Sequence, residues 1–305
     1  MSVPSSGGRR FTIVEFPTFA VGIVIHTLWF GLTAWAPSLP RWSWCIVGMA
    51  GGVLVAWHGS FQHETIHGHP TRSRAWNALL GSLPLGLWLP YGIYREQHEA
   101  HHRNVHLTDP LEDPESFYVT PGQWAKMGAL GRAFFHVQST LLGRLVLGPA
   151  MVTSRFLLAE LRRLWAGDTQ HVRAWVQHAT GVALVVVWLS LVCHLSLARY
   201  VLLFVYPGLA LTLLRSFFEH RPAEKAAHRI GIVEAGPLMG LLYLNNNLHV
   251  VHHEAPGVAW YELPARYRAR RAEILAENGG FKFRGYLALL ARFAVRAKDG
   301  PVHRW

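Results

Sequence analysis

Apolar residues in this chain of 305 fall in long blocks, with little of the alternation that marks half-buried strands. Four blocks dominate: "PTFAVGIVIHTLWFGLTAW" (17–35), "WSWCIVGMAGGVLVAWHGSF" (42–61), "WVQHATGVALVVVWLSLVCHLSLA" (175–198) and "YVLLFVYPGLALTLLRSFF" (200–218). None holds Asp, Glu or Lys, and their only Arg is Arg215, near an end. Each is close to the roughly 20 residues that a helix needs to cross a hydrocarbon core. The loop "APSLPR" joins the first two blocks and Arg199 the second two, so the pattern predicts two transmembrane hairpins. Core helices of a soluble protein are the competing reading of such runs. The first block is too long, and too closely followed by another, for a cleaved signal sequence.

Three further apolar segments are interrupted. "AWNALLGSLPLGLWLPYGIY" (75–94) is broken by Gly81, Pro84, Gly86 and Pro90, and "LGRAFFHVQSTLLGRLVLGPAMV" (130–152) by Arg132, His136 and Arg144. "IVEAGPLMGLLYLNNNLHV" (232–250) is short, with Glu234 and Pro237 near its start. All three read as interfacial or re-entrant segments rather than spans. "RYRARRAEILAENGG" (266–280) predicts a basic amphipathic helix ended by Gly279 and Gly280. The expected fold is all-α: an integral membrane protein with four transmembrane helices in two hairpins, interfacial helices and a cytoplasmic histidine-rich cap. The expected divisions are a disordered head at 1–11, a membrane domain at 12–265 and a basic cytoplasmic tail at 266–305.

The formal net charge of +11 sits almost entirely outside the hairpins, whose loops carry only Arg41 and Arg199. That asymmetry orients both termini to the cytoplasm, as in the inner membrane of a bacterium. Anionic headgroups account for the basic excess, and no nucleic acid is implied. Cys45 and Cys193 are two thiols near helix ends and make no disulfide framework.

Histidine placement changes the picture. "HETIH" sets His63 and His67 at i and i+4, "HEAHH" sets His98, His101 and His102 at i, i+3 and i+4, and "HVVHH" repeats that spacing at His249, His252 and His253. On a helix these positions share a face, so each cluster points its imidazoles together. With 19 histidines in the chain, roughly 0.07 copies of H-x-x-H-H are expected by chance. Neutral imidazole is a ligand for Fe, Cu, Ni and Zn, and eight exceed the needs of one tetrahedral ion, so two metals are the economical reading. A solvated or headgroup-facing polar patch is the bland alternative for any one cluster. A shared site also needs all three clusters on one side of the membrane. It follows that 75–94 does not cross, in keeping with its prolines.

At these residues the chain resembles the membrane fatty acid desaturase and hydroxylase superfamily, whose members carry H-x(3,4)-H, H-x-x-H-H and H-x-x-H-H in this order. The resemblance covers about residues 12–265. It implies a centre of two non-haem iron ions held mostly by histidine, and activation of O2 to take hydrogen from an unactivated C–H bond. It also implies a lipid acyl substrate and electrons from a separate donor such as ferredoxin. Members often use one more histidine on the span before the third box, and His220 in "SFFEH" holds that place. By itself His220 reads equally well as a helix-end group facing carbonyls. Where the family can place an Asn one turn earlier, this chain has Ser216. The expected activity is desaturation of a fatty acyl chain, with lipid hydroxylation or carotenoid ketolation or hydroxylation as the alternatives within the superfamily. A metal-binding membrane protein without catalysis is the alternative of another class. No cytochrome b5-like module is expected within the short tails.

Other polar residues stay open at this stage. Glu64, Glu99 and Glu254 follow box histidines directly, where i+1 points about 100° away from the shared face. The run "LTDPLEDPES" (107–116) reads either as a solvated turn or as carboxylates orienting ligand N–H groups. Asn245, Asn246 and Asn247 are equally a cap or a support. His106 is a weaker candidate one turn past His102, while His58 and His69 are out of register. His26, His178 and His194 sit within apolar spans as packing or end-of-span residues.

Overall fold

In the computed structural model, which describes residues 14–304, each of the four apolar blocks becomes a helix. The expected head at 1–11 lies outside the described residues. The first hairpin is α1 (Phe16–Trp35) and α2 (Trp44–Ile66), which run past the apolar pattern so that α2 carries the first histidine pair on its last turns. The next segment breaks as its prolines dictate. Its α3 (Arg74–Gly81) is capped by the Ser73 hydroxyl on the Trp76 N–H, and α4 (Tyr91–Arg103) starts directly after Pro90. With eight residues, α3 is roughly 12 Å long and cannot cross a core of about 30 Å.

The segment 130–152 is not one element, and this corrects the expectation. After α5 (Pro121–Lys126), a short α6 (Ala129–Gln138) carries Arg132 and His136, and the chain turns at Ser139 and Thr140. Thr140 then caps α7 (Leu141–Trp165), accepting from the Gly143 N–H. Freed of the charges on α6, α7 is 25 residues long and apolar enough to cross a membrane, so five helices qualify where four were expected. The second hairpin is α8 (Val172–Val187), extended by a π turn at Trp188–Val192, then α9 (Leu197–Tyr200), a π turn at Val201–Val205 and α10 (Tyr206–Glu219).

The segment 232–250 is buried at both ends and exposed at α11, where Leu238 is 81% exposed. Ile232–Val233 (β1) is buried, α11 (Pro237–Leu242) follows, and Tyr243, Leu244 and Leu248 enter the interior before α12 (His249–Glu254). The boundary expected at 265/266 falls inside α13 (Leu263–Glu277). Beyond it, Lys282–Phe283 (β2) pairs in parallel with β1, and α14 (Gly285–Phe293) packs Leu289 and Phe293 against Leu141 and Phe218.

Outward faces of the long helices are apolar: Leu184 is 62% exposed, Leu191 70% and Leu202 68%. Such a surface is stable in lipid and unstable in water, so this is a membrane protein. In lipid, helices associate by close packing rather than by hydrophobic burial, and small residues set the approach. A Cβ on Gly51 would stand 2.5 Å from the Phe204 ring, and one on Gly208 would stand 2.6 Å from Val55. Hence α2 and α10 touch backbone to side chain. At the far end of the hairpins the Trp29 indole donates to the Tyr200 hydroxyl at 2.9 Å, which donates to the Leu85 carbonyl at 2.7 Å. Cys45 and Cys193 are unpaired thiols.

Candidate metal centre

Four pieces of chain deliver imidazoles to one place. The end of α2 brings His63 and His67, α4 brings His98, His101 and His102, the residue after α10 is His220, and α12 brings His249, His252 and His253. The structure brings all nine predicted residues together, in two groups whose donor atoms lie within 4.8 Å of one another. One holds His63, His67, His98, His102 and His252; the other holds His101, His220, His249 and His253. Each H-x-x-H-H box is therefore divided. Box two gives its i, i+4 pair to the first group and His101 to the second, and box three does the reverse, with His252 crossing over. Helical geometry explains the division: i and i+4 stack on one line, while i+3 leans to its other side.

Within each group the rings meet through Nε2. His98 Nε2 is 3.0 Å from His67 Nε2 and 3.1 Å from His102 Nε2, and His102 Nε2 is 3.0 Å from His252 Nε2. In the second group His220 Nε2 is 3.1 Å from His101 Nε2 and 3.0 Å from His249 Nε2, which is 3.1 Å from His253 Nε2. Acceptors on the opposite edge decide where the ring protons sit. His98 Nδ1 is 2.8 Å from Glu115 Oε1, His101 Nδ1 is 2.9 Å from Asp113 Oδ1, and His249 Nδ1 is 3.0 Å from Asn246 Oδ1. Each of these Nδ1 atoms donates, so each Nε2 presents a lone pair inward.

Protonation offers little relief from this crowding. Burial and neighbouring histidines lower His67 to about 2, His102 to about 3 and His220 to about 3. The same causes hold His249, His252 and His253 well below the usual range. His101 is the exception: burial opposes its charge, but Glu115 and the hydrogen bond to Asp113 outweigh it and raise it to about 9. The neutral inward nitrogens of the first group, and those of His220, His249 and His253 in the second, form donor sets suited to a metal ion, and a cation in the second group would take the place of the extra His101 proton.

The open residues now resolve. From the acidic run, Asp113 and Glu115 orient ring N–H groups, whereas Asp109 accepts from the N–H groups of Leu111 and Glu112 in its own turn. Asn246 orients His249, while the Asn245 and Asn247 amides donate to the carbonyls of Trp260 and Val233. Glu64 is buried and accepts from the Trp260 N–H, Glu99 faces Arg74 and Arg103, and Glu254 pairs with Arg270. None of the three glutamates beside the boxes joins either group, although Glu64 Oε1 lies 3.5 Å from His63 Nδ1. His106 is exposed near Glu112, His69 bonds Glu15, and the His178 Nε2–H donates to the Leu87 carbonyl at 3.0 Å, outside the centre. The Ser216 hydroxyl turns back on the Leu213 carbonyl. Reading the sequence missed Glu219, whose Oε1 lies 3.4 Å from His249 Nδ1, and two tail residues, Lys298 and His303. A carboxylate directly before His220 was the one available signal.

A cavity of about 680 Å³ opens between α2, α4, α7 and α10. Its walls are mainly apolar, with Trp88, Phe156, Leu158, Val205 and Leu209, and its inner end is lined by Tyr94 and Glu115. Both touch His98, through a ring contact at 5.7 Å and the hydrogen bond described above. A comparison with curated proteins gave no match. The family model described as fatty acid desaturase matches residues 36–285, more than half the chain, and the chain therefore belongs to the fatty acid desaturase family.

Proposed function

We propose that the protein is an O2-dependent acyl-lipid desaturase, working in a bacterial inner membrane with its centre and both termini on the cytoplasmic side. The observation that carries this reading is a largely apolar cavity inside a membrane protein whose lining residues Tyr94 and Glu115 both touch His98 of the first imidazole group. The nine histidines would hold two iron ions, which when bound supply the activation of O2. The reaction takes two hydrogens from adjacent methylenes. Two more electrons from a separate donor such as ferredoxin and two protons complete the reduction of O2 to two waters. The protein's own part is positional: α2, α4, α7 and α10 enclose the acyl chain, and Tyr94 and Glu115 mark the end at which a methylene meets the centre. Exposed Arg292, Arg296 and Arg304 give the cytoplasmic face a charge suited to an acidic donor.

Parity supports four crossings. Three of the five qualifying helices lie between His101 and His220, whose rings meet at 3.1 Å, so an even number of them cross. The helix that lies along the surface is α7, which carries Arg144, Arg155, Glu160, Arg162 and Arg163. Charge also separates the acyl reading from a wholly apolar carotenoid. Arg155 and Arg162 line the cavity two turns apart, and neither has a carboxylate partner among the described residues. Such a wall suits a chain with an anionic head.

Profiling lipids and pigments in cells expressing the wild type and His252→Ala, with elemental analysis of the purified proteins, tests the proposal. New double bonds and about two irons per chain are expected in the wild type, and neither in full in the variant. A pigment change without a lipid change moves the substrate to carotenoids. Full activity in iron-free protein would overturn the metal reading.

A further inference from the structure

The last residues of the chain, past the region matched to the family, are folded under one histidine group and not the other. After α14, the Leu142 N–H donates to the Ala294 carbonyl at 2.9 Å and the Lys298 N–H to the Ser139 carbonyl at 3.2 Å. The Val119 N–H donates to the Pro301 carbonyl at 3.0 Å, and the His303 N–H returns to the Val119 carbonyl at 2.9 Å. This laying-down places two side chains. Lys298 is 8% exposed, and its ammonium donates to the His220 carbonyl at 2.5 Å. Asp299 pairs with it at 3.2 Å and accepts from the Tyr118 hydroxyl at 3.0 Å. The same ammonium stands 5.3 Å from the centre of the Phe217 ring.

The second side chain works through a relay. His303, 4% exposed, has Nε2 3.0 Å from the Thr108 hydroxyl. The Thr108 N–H donates to Asp113 Oδ2 at 2.7 Å, and Asp113 Oδ1 accepts from His101 Nδ1 at 2.9 Å. Thr108 has φ of +74°, a strained position for a β-branched residue that its surroundings must hold. His303 and the Ser116 hydroxyl, 2.7 Å from the Thr108 carbonyl, are two of the contacts that do so. Both routes reach residues of the second group, His220 and His101; Asp113 Oδ1 also accepts from the Glu115 backbone N–H at 2.9 Å, a main-chain bond that leaves the Glu115 carboxylate on His98. Neither tail residue bonds a ring of the first group, whose His98 is oriented by Glu115.

We propose that residues 298–303 are a positioning strap for the second metal-binding group alone, with Lys298 fixing His220 and His303 fixing His101 through Thr108 and Asp113. The inference rests on the two-metal reading above. Groups that orient a ligand without touching the ion typically set metal affinity by 10- to 100-fold, so loss of the strap weakens one ion and spares the other.

The test is stepwise cobalt(II) titration of the purified full-length apoprotein in detergent, followed by its visible absorption. Wild type is compared with Lys298→Met, His303→Phe and the conservative Lys298→Arg. His67→Ala and His253→Ala mark which absorption belongs to which group. Expected are two cobalt classes in the wild type. Lys298→Met and His303→Phe should weaken by about 10-fold or more the class that His253→Ala removes, and leave the class that His67→Ala removes within about 2-fold. Lys298→Arg should recover most of the loss. Equal weakening of both classes, or of neither, overturns the strap. If Lys298→Met does not fold, His303→Phe decides alone, because it interrupts the other route. A wild type that binds fewer than two cobalt ions fails the two-metal reading itself and takes the strap with it.

Discussion

Asp113 and Glu115 show how much of this centre is decided by side chains that bind no metal. Each takes the Nδ1 proton of one imidazole and so commits its Nε2 lone pair to the interior. Asp113→Asn and Glu115→Gln keep the size but offer an amide that can turn its NH2 to the ring. Each should lower the affinity of its own group for metal by roughly 10- to 100-fold with little change in fold, read by metal content after dialysis. The eight box imidazoles were legible in the sequence because 3- and 4-residue spacing survives any rearrangement of the helices that carry it, whereas His220 followed only from the family resemblance. Asp113 and Glu115 were half-legible, as an acidic run with two readings. Lys298 and His303 were illegible. Thr108 lies 195 residues from His303, and nothing near a lone lysine or histidine in a basic tail announces such a partner.

The elements were legible where composition is uniform along a helix and misread where a break falls inside a block. Arg132 and His136 interrupt 130–152 as a string, but they belong to α6, and the turn at Ser139–Thr140 frees α7 to be long. Close approach of α2 and α10 was likewise hidden, since glycines in an apolar run look like any other small residues. Gly208→Val pushes a branched side chain into Val55 and should cost about 1–3 kcal/mol, seen as a lower thermal midpoint in detergent. Gly59, on α2, lines the cavity instead, and a Cβ there would be 3.8 Å from the Thr212 hydroxyl, an ordinary contact. Gly59→Leu should therefore fold and keep its metal while shortening the cavity. Turnover of the longest acyl chain should fall about 10-fold against a shorter one, the loss of about two buried methylenes at about 0.8 kcal/mol each.

Across the whole molecule, the part after the second hairpin is tied to α13 by charge. Glu234, beside β1, accepts from Arg271 at 2.6 Å and from the Tyr267 hydroxyl at 2.7 Å. Burial opposes its charge, but these bonds and Lys282 outweigh it and lower its carboxyl to about 2 from an ordinary 4.5. A lowered carboxyl stabilises fully above its unfolded value, and that contribution drains away as pH falls from about 4.5 towards 2. The Arg271 partner is exposed, so solvent screens the pair and its contribution is small. Glu234→Gln should lower the thermal midpoint at pH 7, and the gap from wild type should narrow steadily below pH 4.5 and weaken at high salt.

The strap is also synthesised after every histidine of both groups. His252, the final member of the group it does not touch, emerges well before Lys298 does. Chains fold in portions as they are made, so the first group can close on a nascent protein while the second still lacks its support. On the two-metal reading, a message cut short before residue 298 is expected to yield a membrane protein with one finished half-centre and one loose one, read by its metal content.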